Sequence, residues 1–361
     1  MTPTAAVAHI RRLACLGVGA DVAMPDILDT IRHVVPSANN AFVSTDESYV
    51  CKGLVQQHWT PDLLQNLGAK RATEYREICD QHEGWWRHAP ANATFDDEGA
   101  AYRGVYRTPM YTECWRPFGQ HHLLEALLRA GGRPAGYLHV FRDHHARRFT
   151  LRERRRFAAL VPYIALVLND TAASDLAYAE PSQRAVLVID AIARISHRSE
   201  GAHKLLMLAF NPDLALHADI ERPTHALVKQ LLHKLRAADS GDDAGSPCLE
   251  RRNCQGHFFF RAQWMQANAD EDRGACVIIE RAEPLALRLM RGLAKLPLSP
   301  GQKSLALLLA QGQSREAVAA RLGIAAQTVK DYVGIVYAKL GVHDRYQLTA
   351  RLLESSRPER D

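Results

Sequence analysis

LSPGQKSLALLLAQGQSREAVAARLGIAAQTVKDYVGIVYAKLGVHDRYQLTARLL, residues 298–353, contains start and stop signals for four short helices. Side chains that can cap the first turn of a helix stand at Ser299, Ser314 and Asp344. Pro300 fits a first helical position, where no N–H is needed, and Gln302 has capping-box spacing from the serine before it. Glycines that can end a helix follow at Gly312, Gly323 and Gly341. These signals predict a compact four-helix domain.

The third of these helices carries an apolar stripe along one side. The stripe is formed by residues spaced four, three and four apart: Val329, Val333, Val336 and Leu340. Such a stripe faces the other helices of a domain, so the opposite side is expected to face outward. That opposite side carries Gln327, Lys330, Asp331 and Gly334. A helix held by its back, after the short turn 323–325, has the geometry of a helix that enters the DNA major groove.

The charge of this stretch favours the same function. Residues 298–353 contain seven Lys or Arg and three Asp or Glu, a local surplus of four positive charges. The whole chain of 361 residues has a formal net charge of only +5. Phosphate contact is therefore expected from a local patch and not from the chain as a whole.

The stretch resembles the C-terminal DNA-binding domain of LuxR-type regulators, also called GerE- or NarL-type. The matching residues are Leu298-Ser299, Leu309-Ala310, Gly312, Ser314, Ala319, Arg321-Leu322-Gly323-Ile324, Thr328-Val329-Lys330, Lys339-Leu340-Gly341-Val342 and Arg345. The resemblance covers the whole domain without a gap and implies a transcriptional regulator that binds double-stranded DNA. The predicted DNA-binding residues are Gln327, Thr328, Val329, Lys330, Asp331, Lys339 and Arg345.

Four positions depart from the residues usual in that family. Ala325 stands where a serine cap is usual, which costs about 0.5–2 kcal/mol of local stability. Ala317 replaces a common glutamate, and Gly334 occupies an exposed position where a base-reading side chain is frequent. Asp331 places an anion on the reading side, where it can accept a hydrogen bond from cytosine or repel phosphate.

Residues 1–172 are predicted to form a mixed α/β unit. Residues 5–15 and 27–34 have helical spacing, and a strand is expected at 41–45. Segments 122–128 and 135–141 flank two glycines, Gly131 and Gly132, which predicts a β-hairpin. Thr150 and Glu153 have capping-box spacing and start a helix expected to reach about Asn169. This closing part resembles a GAF domain.

Residues 183–282 form a second predicted unit. Strands are expected at 185–190, 256–264 and 275–280, with a helix that carries Ala202, Leu205 and Leu206. The order of these elements resembles the opening of a PAS domain, and the two resemblances together imply a sensory front end. Residues 283–297 are expected to form a linker helix before the DNA-binding domain, 298–361. The predicted fold class is thus α+β, with GAF-like and PAS-like α/β sensor units followed by a four-helix helix-turn-helix domain.

Aromatic residues concentrate in the first unit. The candidate ligand-pocket residues are Trp85, Trp86, Tyr102, Tyr106, Tyr111 and Trp115. Aromatic walls with a few polar groups suit a small-molecule pocket, but the same residues can serve only as core and surface aromatics of a loop-rich region. A front end that binds another protein without any small-molecule ligand is therefore the alternative.

Sequence signatures of other functions are missing. The chain has no G-x-S-x-G elbow, no H-E-x-x-H pair, no dinucleotide loop and no P-loop, so neither an enzyme nor a cofactor or metal site is predicted. Seven cysteines without a C-x-x-C motif fit reduced thiols in the cytoplasm, and no apolar run approaches the roughly 18 residues of a membrane span. A homodimer is expected because one helix-turn-helix contacts few base pairs. The resemblance places the pairing in the fourth helix, around residues 348–353.

Overall fold

The computed structural model of the chain describes residues 1–16, 18–56, 88–90, 93–97, 104–108, 110–168, 177–213, 215, 218–240, 246–265 and 273–356. In these residues two antiparallel five-stranded sheets, each with its own helices, precede a C-terminal group of helices. The predicted α+β class is confirmed. No helix of the described ranges is both long and apolar enough to cross a membrane.

The first sheet has the strand order β2-β1-β5-β4-β3. Its strands are β1 (Asn39–Thr45), β2 (Cys51–Gln56), β3 (Thr94–Asp96), β4 (His122–Ala130) and β5 (Arg133–Arg142). The helices in the described residues of this unit are α1 (Pro3–Ala14), α2 (Ala20–Ile31), α3 (Leu151–Ala158) and α4 (Val161–Val167). Single turns of 3-10 and π helix lie at Val105–Arg107, Met110–Trp115 and Arg116–Phe118. α1, α2 and α4 share one apolar core with one face of the sheet.

The predicted hairpin between β4 and β5 is present. Gly131 and Gly132 form its turn with φ angles of 56° and 81°, which glycine adopts without strain. The predicted capping box is also present, since the Glu153 backbone N–H donates to Thr150 Oγ1 and Glu153 Oε2 accepts from the Thr150 N–H. The single helix expected to reach Asn169 is wrong. It is two helices, α3 and α4, because Pro162 cannot donate a helical hydrogen bond and its ring would clash with the preceding turn.

The second sheet has the order β7-β6-β10-β9-β8, the same order as the first. Its strands are β6 (Gln183–Ile189), β7 (Ile195–Arg198), β8 (Cys248–Asn253), β9 (Gly256–Trp264) and β10 (Ala275–Ala282). Helices α5 (Ala202–Phe210) and α6 (Glu221–Asp239) belong to this unit, with Leu206 and Leu231 buried in the same core as Phe258 and Phe260. The three strands expected from sequence are present, whereas β7, β8 and α6 carry patterns that the sequence analysis missed.

Five helices follow the second sheet within residues 283–356. They are α7 (Leu285–Lys295), α8 (Pro300–Ala310), α9 (Arg315–Leu322), α10 (Ala326–Leu340) and α11 (Arg345–Ser355). The expected caps form. Ser299 and Gln302 complete a capping box, Ser314 Oγ accepts from the Ala317 N–H, and Asp344 Oδ1 accepts from the Gln347 N–H.

Helix α7, expected as a linker, is packed on both sides. Arg291 Nε lies 2.8 Å from Asp26 Oδ1 of α2, and its Nη1 lies 2.6 Å from Glu283 Oε1. On the other side Gly292 lies so close to α11 that an added Cβ would be 2.8 Å from the carbonyl carbon of Leu352. α7 therefore joins the front end to the C-terminal helices through direct contacts.

Candidate functional site

α9 and α10 form a helix-turn-helix. Gly323, with φ of 64°, ends α9 in a left-handed conformation, and α10 begins at residue 326. Val318 anchors α9 in the core, while Val329, Val333 and Val336 bury the back of α10. The two helices are thus fixed by apolar packing, and the opposite side of α10 is left facing solvent.

The outward side of α10 carries most of the predicted contact residues. Gln327, Lys330, Asp331 and Gly334 are exposed, and Thr328 is half-buried. Gln327 Nε2 donates a hydrogen bond of 2.9 Å to Asp331 Oδ1. This bond holds the carboxylate of Asp331 beside the side-chain amide of Gln327. The remaining oxygens of the two side chains therefore lie close together and can accept hydrogen bonds as one group.

Val329 is the one predicted contact residue whose side chain is fully buried. It packs in the core of the domain, as the apolar stripe predicted, so its side chain is not presented to a base or a phosphate. Two large side chains of α10 that were not among the predicted contacts are exposed, Tyr332 at 36% and Ile335 at 43%. Ile335 lies off the valine stripe, and an exposed apolar group beside a reading side can contact a thymine methyl. The exposure of Ile335 could have been predicted from the sequence, because this residue lies off the valine stripe.

The basic residues of the domain divide into exposed and buried groups. The exposed ones are Arg315, Arg321, Lys330, Lys339, Arg345 and Arg351. Lys303 is buried, its Nζ donates to the Ala294 carbonyl at 3.1 Å, and burial lowers its pKa. Six of the seven cations counted from sequence can therefore reach solvent, against three acidic residues.

Lys339 and Arg345 are held at one end of the reading helix. Lys339 Nζ donates to Gln302 Oε1 at 3.1 Å, and Arg345 Nη1 donates to the Gly312 carbonyl at 3.3 Å. These bonds orient two exposed cations beside the end of α10. Oriented cations at a helix end suit the phosphate backbone, which sets the position of a protein on DNA.

The apolar face of α11 is used inside the chain. Leu348 and Leu352, on which pairing through the fourth helix was expected, are fully buried, and α7 packs against this helix at Leu352. Leu353 is half-buried. In this arrangement the two leucines are not available to a second copy of the chain.

The candidate pocket residues of the front end fall into separate places. Trp85, Trp86 and Tyr102 lie outside the described residues. Tyr106 and Tyr111 meet edge to face at 5.0 Å between ring centroids, and the Tyr111 hydroxyl lies 2.5 Å from His121 Nδ1. Trp115 lies apart from them, with its ring centroid 5.8 Å from that of Phe141 in the first sheet.

Potential metal ligands meet at one place in the described part of the chain, a surface turn after β5. The ligand atoms of Asp143, His144 and His145 lie within 4.8 Å of one another. His145 and His144 are exposed, and the Asp143 carboxylate already accepts a hydrogen bond from the His145 backbone N–H. This group was not among the residues predicted from the sequence.

A buried-back helix, a tight turn and an exposed, partly basic reading side define a helix-turn-helix DNA-binding domain. Residues 296–352 match the GerE family, described as bacterial regulatory proteins of the luxR family. The C-terminal domain of this protein is therefore a LuxR-family helix-turn-helix domain.

Solved structures of VqmA are similar to part of the chain at low identity. The complex of phage VqmA with DPO is 16% identical, covers 47% of this chain and 81% of its own, and has a TM-score of 0.19. The complex of Vibrio cholera VqmA with ligand and DNA is 16% identical, covers 48% and 83%, and has a TM-score of 0.22. The sensor region of a sensor histidine kinase is 13% identical, covers 67% and 83%, and has a TM-score of 0.19. Scores this low carry no argument about the fold or function of this chain. No curated protein matches the sequence significantly.

Proposed function

We propose that the protein is a transcriptional regulator that binds double-stranded DNA as a homodimer through α9 and α10. Its front end, the two sheet units, acts as a sensor that changes this activity in response to a small molecule or a partner. The observation that carries the proposal is the outward side of α10, which is exposed and polar while its back is buried, in a domain that matches the luxR family.

The proposed contacts divide by chemistry. Gln327, Thr328, Lys330 and Asp331 lie on the reading helix and are assigned to base edges or adjacent phosphates. Lys339 and Arg345 are assigned to the phosphate backbone, because they are cations at one end of that helix. The half-buried position of Thr328 and the Gln327–Asp331 hydrogen bond support a reading surface of few, oriented groups.

The test begins with genome-wide mapping of binding sites for the protein and for the double variant Lys330→Ala, Lys339→Ala. A site recovered in this way is then titrated by fluorescence anisotropy over a range of salt concentrations. The double variant should bind more weakly, and the slope of log affinity against log salt should fall by about 1 to 2. Each lysine that contacts a phosphate contributes about 1, and Lys330 is assigned to a base edge or an adjacent phosphate.

The matched control is Lys52→Ala, Lys229→Ala, which removes two exposed lysines of the front end. It changes the net charge by the same amount and should leave the site affinity and the salt slope unchanged. Equal losses in both double variants would mean that DNA contact is not made by α10, and the proposal would fail.

The homodimer follows from the small number of base pairs that one reading helix contacts. Because Leu348 and Leu352 are buried within the chain, we assign pairing to surfaces outside this part of α11. Light scattering coupled to gel filtration, with and without the DNA site, measures the stoichiometry. A single chain bound per site in both conditions would contradict the dimer.

A front end that binds only another protein is the second candidate. A front end that binds only protein needs no buried polar groups for the binding of a small molecule. The first sheet instead contains buried polar atoms on Asn39 and Gln56 for which the described residues offer no hydrogen-bond partner, and these favour the small-molecule sensor.

A further inference from the structure

The first sheet has one apolar face and one mixed face. The apolar face packs against α2 and α4 and carries Phe42, Val55, Leu124, Ala126, Leu138 and Val140. Side chains alternate between the faces along a strand, so the residues between these belong to the other face. That mixed face carries Asn39, Ala41, Gln56, Leu123, Glu125, Leu127, Tyr137, His139 and Phe141, all of them buried.

A polar row crosses the mixed face beside Ala41. The strand register sets Gln56 and His139 directly opposite Ala41 on its two sides, and sets Glu125 opposite His139. His139 Nε2 and Glu125 Oε2 lie 2.8 Å apart. Directly opposed residues have Cβ atoms about 5 Å apart, so these side chains are neighbours. Between Gln56 and His139, Ala41 contributes only a methyl group.

Two side chains beside Ala41 have buried polar atoms for which the described residues offer no hydrogen-bond partner. They are Nε2 of Gln56, a donor, and Oδ1 of Asn39, an acceptor, in residues that are 4% and 2% exposed. Asn39 precedes Ala41 by two positions on β1, so it shares the mixed face and lies diagonal to Gln56. Nearly all buried polar atoms of native proteins are hydrogen-bonded. A donor and an acceptor left open beside each other therefore indicate a bound group that supplies both partners.

The surroundings of these atoms are aromatic. Phe141 lies opposite Asn39, and the ring of Trp115 packs against the ring of Phe141. Few oriented polar groups among aromatic walls are typical of small-molecule sites. Glu125 already has the basic partner His139, and Asn39 and Gln56 are neutral, so the site suits an uncharged ligand.

We propose that the mixed face of the first sheet binds a small uncharged aromatic molecule with an amide-like head group. The head group accepts a hydrogen bond from Gln56 Nε2 and donates one to Asn39 Oδ1, and the ring lies against Phe141 and Trp115. This proposal rests on the proposed function, because it gives the sensor a class of ligand. A ligand bound at this site would also identify the front end as a small-molecule sensor and not as a unit that binds only protein.

Three probes of similar size test the ligand class on the full chain by isothermal titration calorimetry. Benzamide has a donor and an acceptor, benzoate is an anion, and toluene has neither group. Benzamide should bind, and benzoate and toluene should bind at least about tenfold more weakly, since each lacks partners for the buried groups. Gln56→Leu should weaken benzamide binding about tenfold, whereas Gln230→Leu, at an exposed glutamine of α6, should leave it unchanged.

Urea unfolding without ligand separates a binding role of Gln56 from a structural one. Gln56→Leu replaces an unsatisfied buried donor by an apolar side chain of similar size, so its unfolding midpoint should equal or exceed that of the unaltered protein. A structural role would lower the midpoint. The proposal is overturned if the unaltered chain does not bind benzamide, if Gln56→Leu binds it equally well, or if the variant is less stable.

The same protein preparations are titrated with the DNA site, so that two failures remain distinguishable. A chain that binds DNA but not benzamide keeps the proposed regulator function and loses this ligand site. A chain that binds benzamide but not DNA retains the ligand site and refutes the DNA-binding proposal.

Discussion

Two glycines inside helices provide a matched test of how α7 packs against α11. Gly292 lies within α7 and Gly334 within α10, and neither has a positive φ, so replacement by alanine improves the helix propensity of both equally. Their surroundings differ. A Cβ at Gly334 would meet nothing within 4 Å, whereas a Cβ at Gly292 would lie 2.8 Å from the carbonyl carbon and 3.2 Å from the Cα of Leu352.

These distances determine the expected magnitudes. Gly334→Ala should raise the free energy of unfolding by about 0.5–1 kcal/mol, the difference in helix propensity. In Gly292→Ala the new methyl would overlap backbone atoms, which cannot rotate away, so α7 and α11 must separate by on the order of 1 Å to restore carbon–carbon contact distances. Overpacking costs about 1–3 kcal/mol, and after the gain in propensity we expect a net loss of about 1–2 kcal/mol.

Urea unfolding followed by far-ultraviolet circular dichroism measures both variants against the unaltered chain. The two midpoints should move in opposite directions. If Gly292→Ala were as stable as Gly334→Ala, α7 and α11 would not be packed as described here. A loss of stability in Gly334→Ala would contradict the open surroundings of that position.

For three further substitutions, local contacts determine whether the free energy of unfolding should rise or fall. Arg291→Met should lower the free energy of unfolding by about 3 kcal/mol in urea, because it removes the ion pair of Asp26 and leaves Glu283 with its longer pairing to Arg281, at 3.6 Å. Adding Asp26→Asn should recover part of that loss. Burial, with Arg12 and Lys303 nearby, lowers the pKa of His9 from 6.5 to about 4. Stability linked to His9 should therefore be complete above pH 6.5 and be lost as the pH falls towards 4, and His9→Leu should flatten that part of a pH series of urea midpoints. Ala325→Ser should add about 1 kcal/mol in the same assay, because Ala325 holds the N-cap position of α10 without a side-chain bond, whereas Ala320→Ser inside α9 should add nothing. An unchanged midpoint for Arg291→Met, an unflattened pH series or an equal gain at Ala320 would each contradict the corresponding contact.

The C-terminal helices could be predicted well because their signals are local. The Ser299, Ser314 and Asp344 caps act within one turn of chain, and glycine at 323 needs only its own φ angle to end α9. The stripe of valines in α10 likewise follows from the 3.6-residue period. These features depend on residues three or four positions apart, a range over which sequence spacing and spatial proximity are the same thing.

Some features could not be predicted because a residue's neighbours come from distant parts of the chain. Lys303 was counted among the cations of the domain, yet tertiary packing buries it. The helix predicted to reach residue 169 fails for a local reason instead, because Pro162 interrupts it. The buried leucines of α11 could not be anticipated, because α7, which packs against that helix, is separated from it by three other helices.

The sequence alone determined that the chain ends in a helix-turn-helix domain, where its helices begin and end, and which side of α10 faces outward. All of these rest on capping and periodicity, which are properties of short segments. Only the tertiary structure decided that Asn39, Gln56, His139 and Glu125 meet around Ala41, because the register between strands places residues far apart in sequence on one face. It also decided that Arg291 connects α7 to α2, since an ion pair across 265 positions leaves no mark in local spacing.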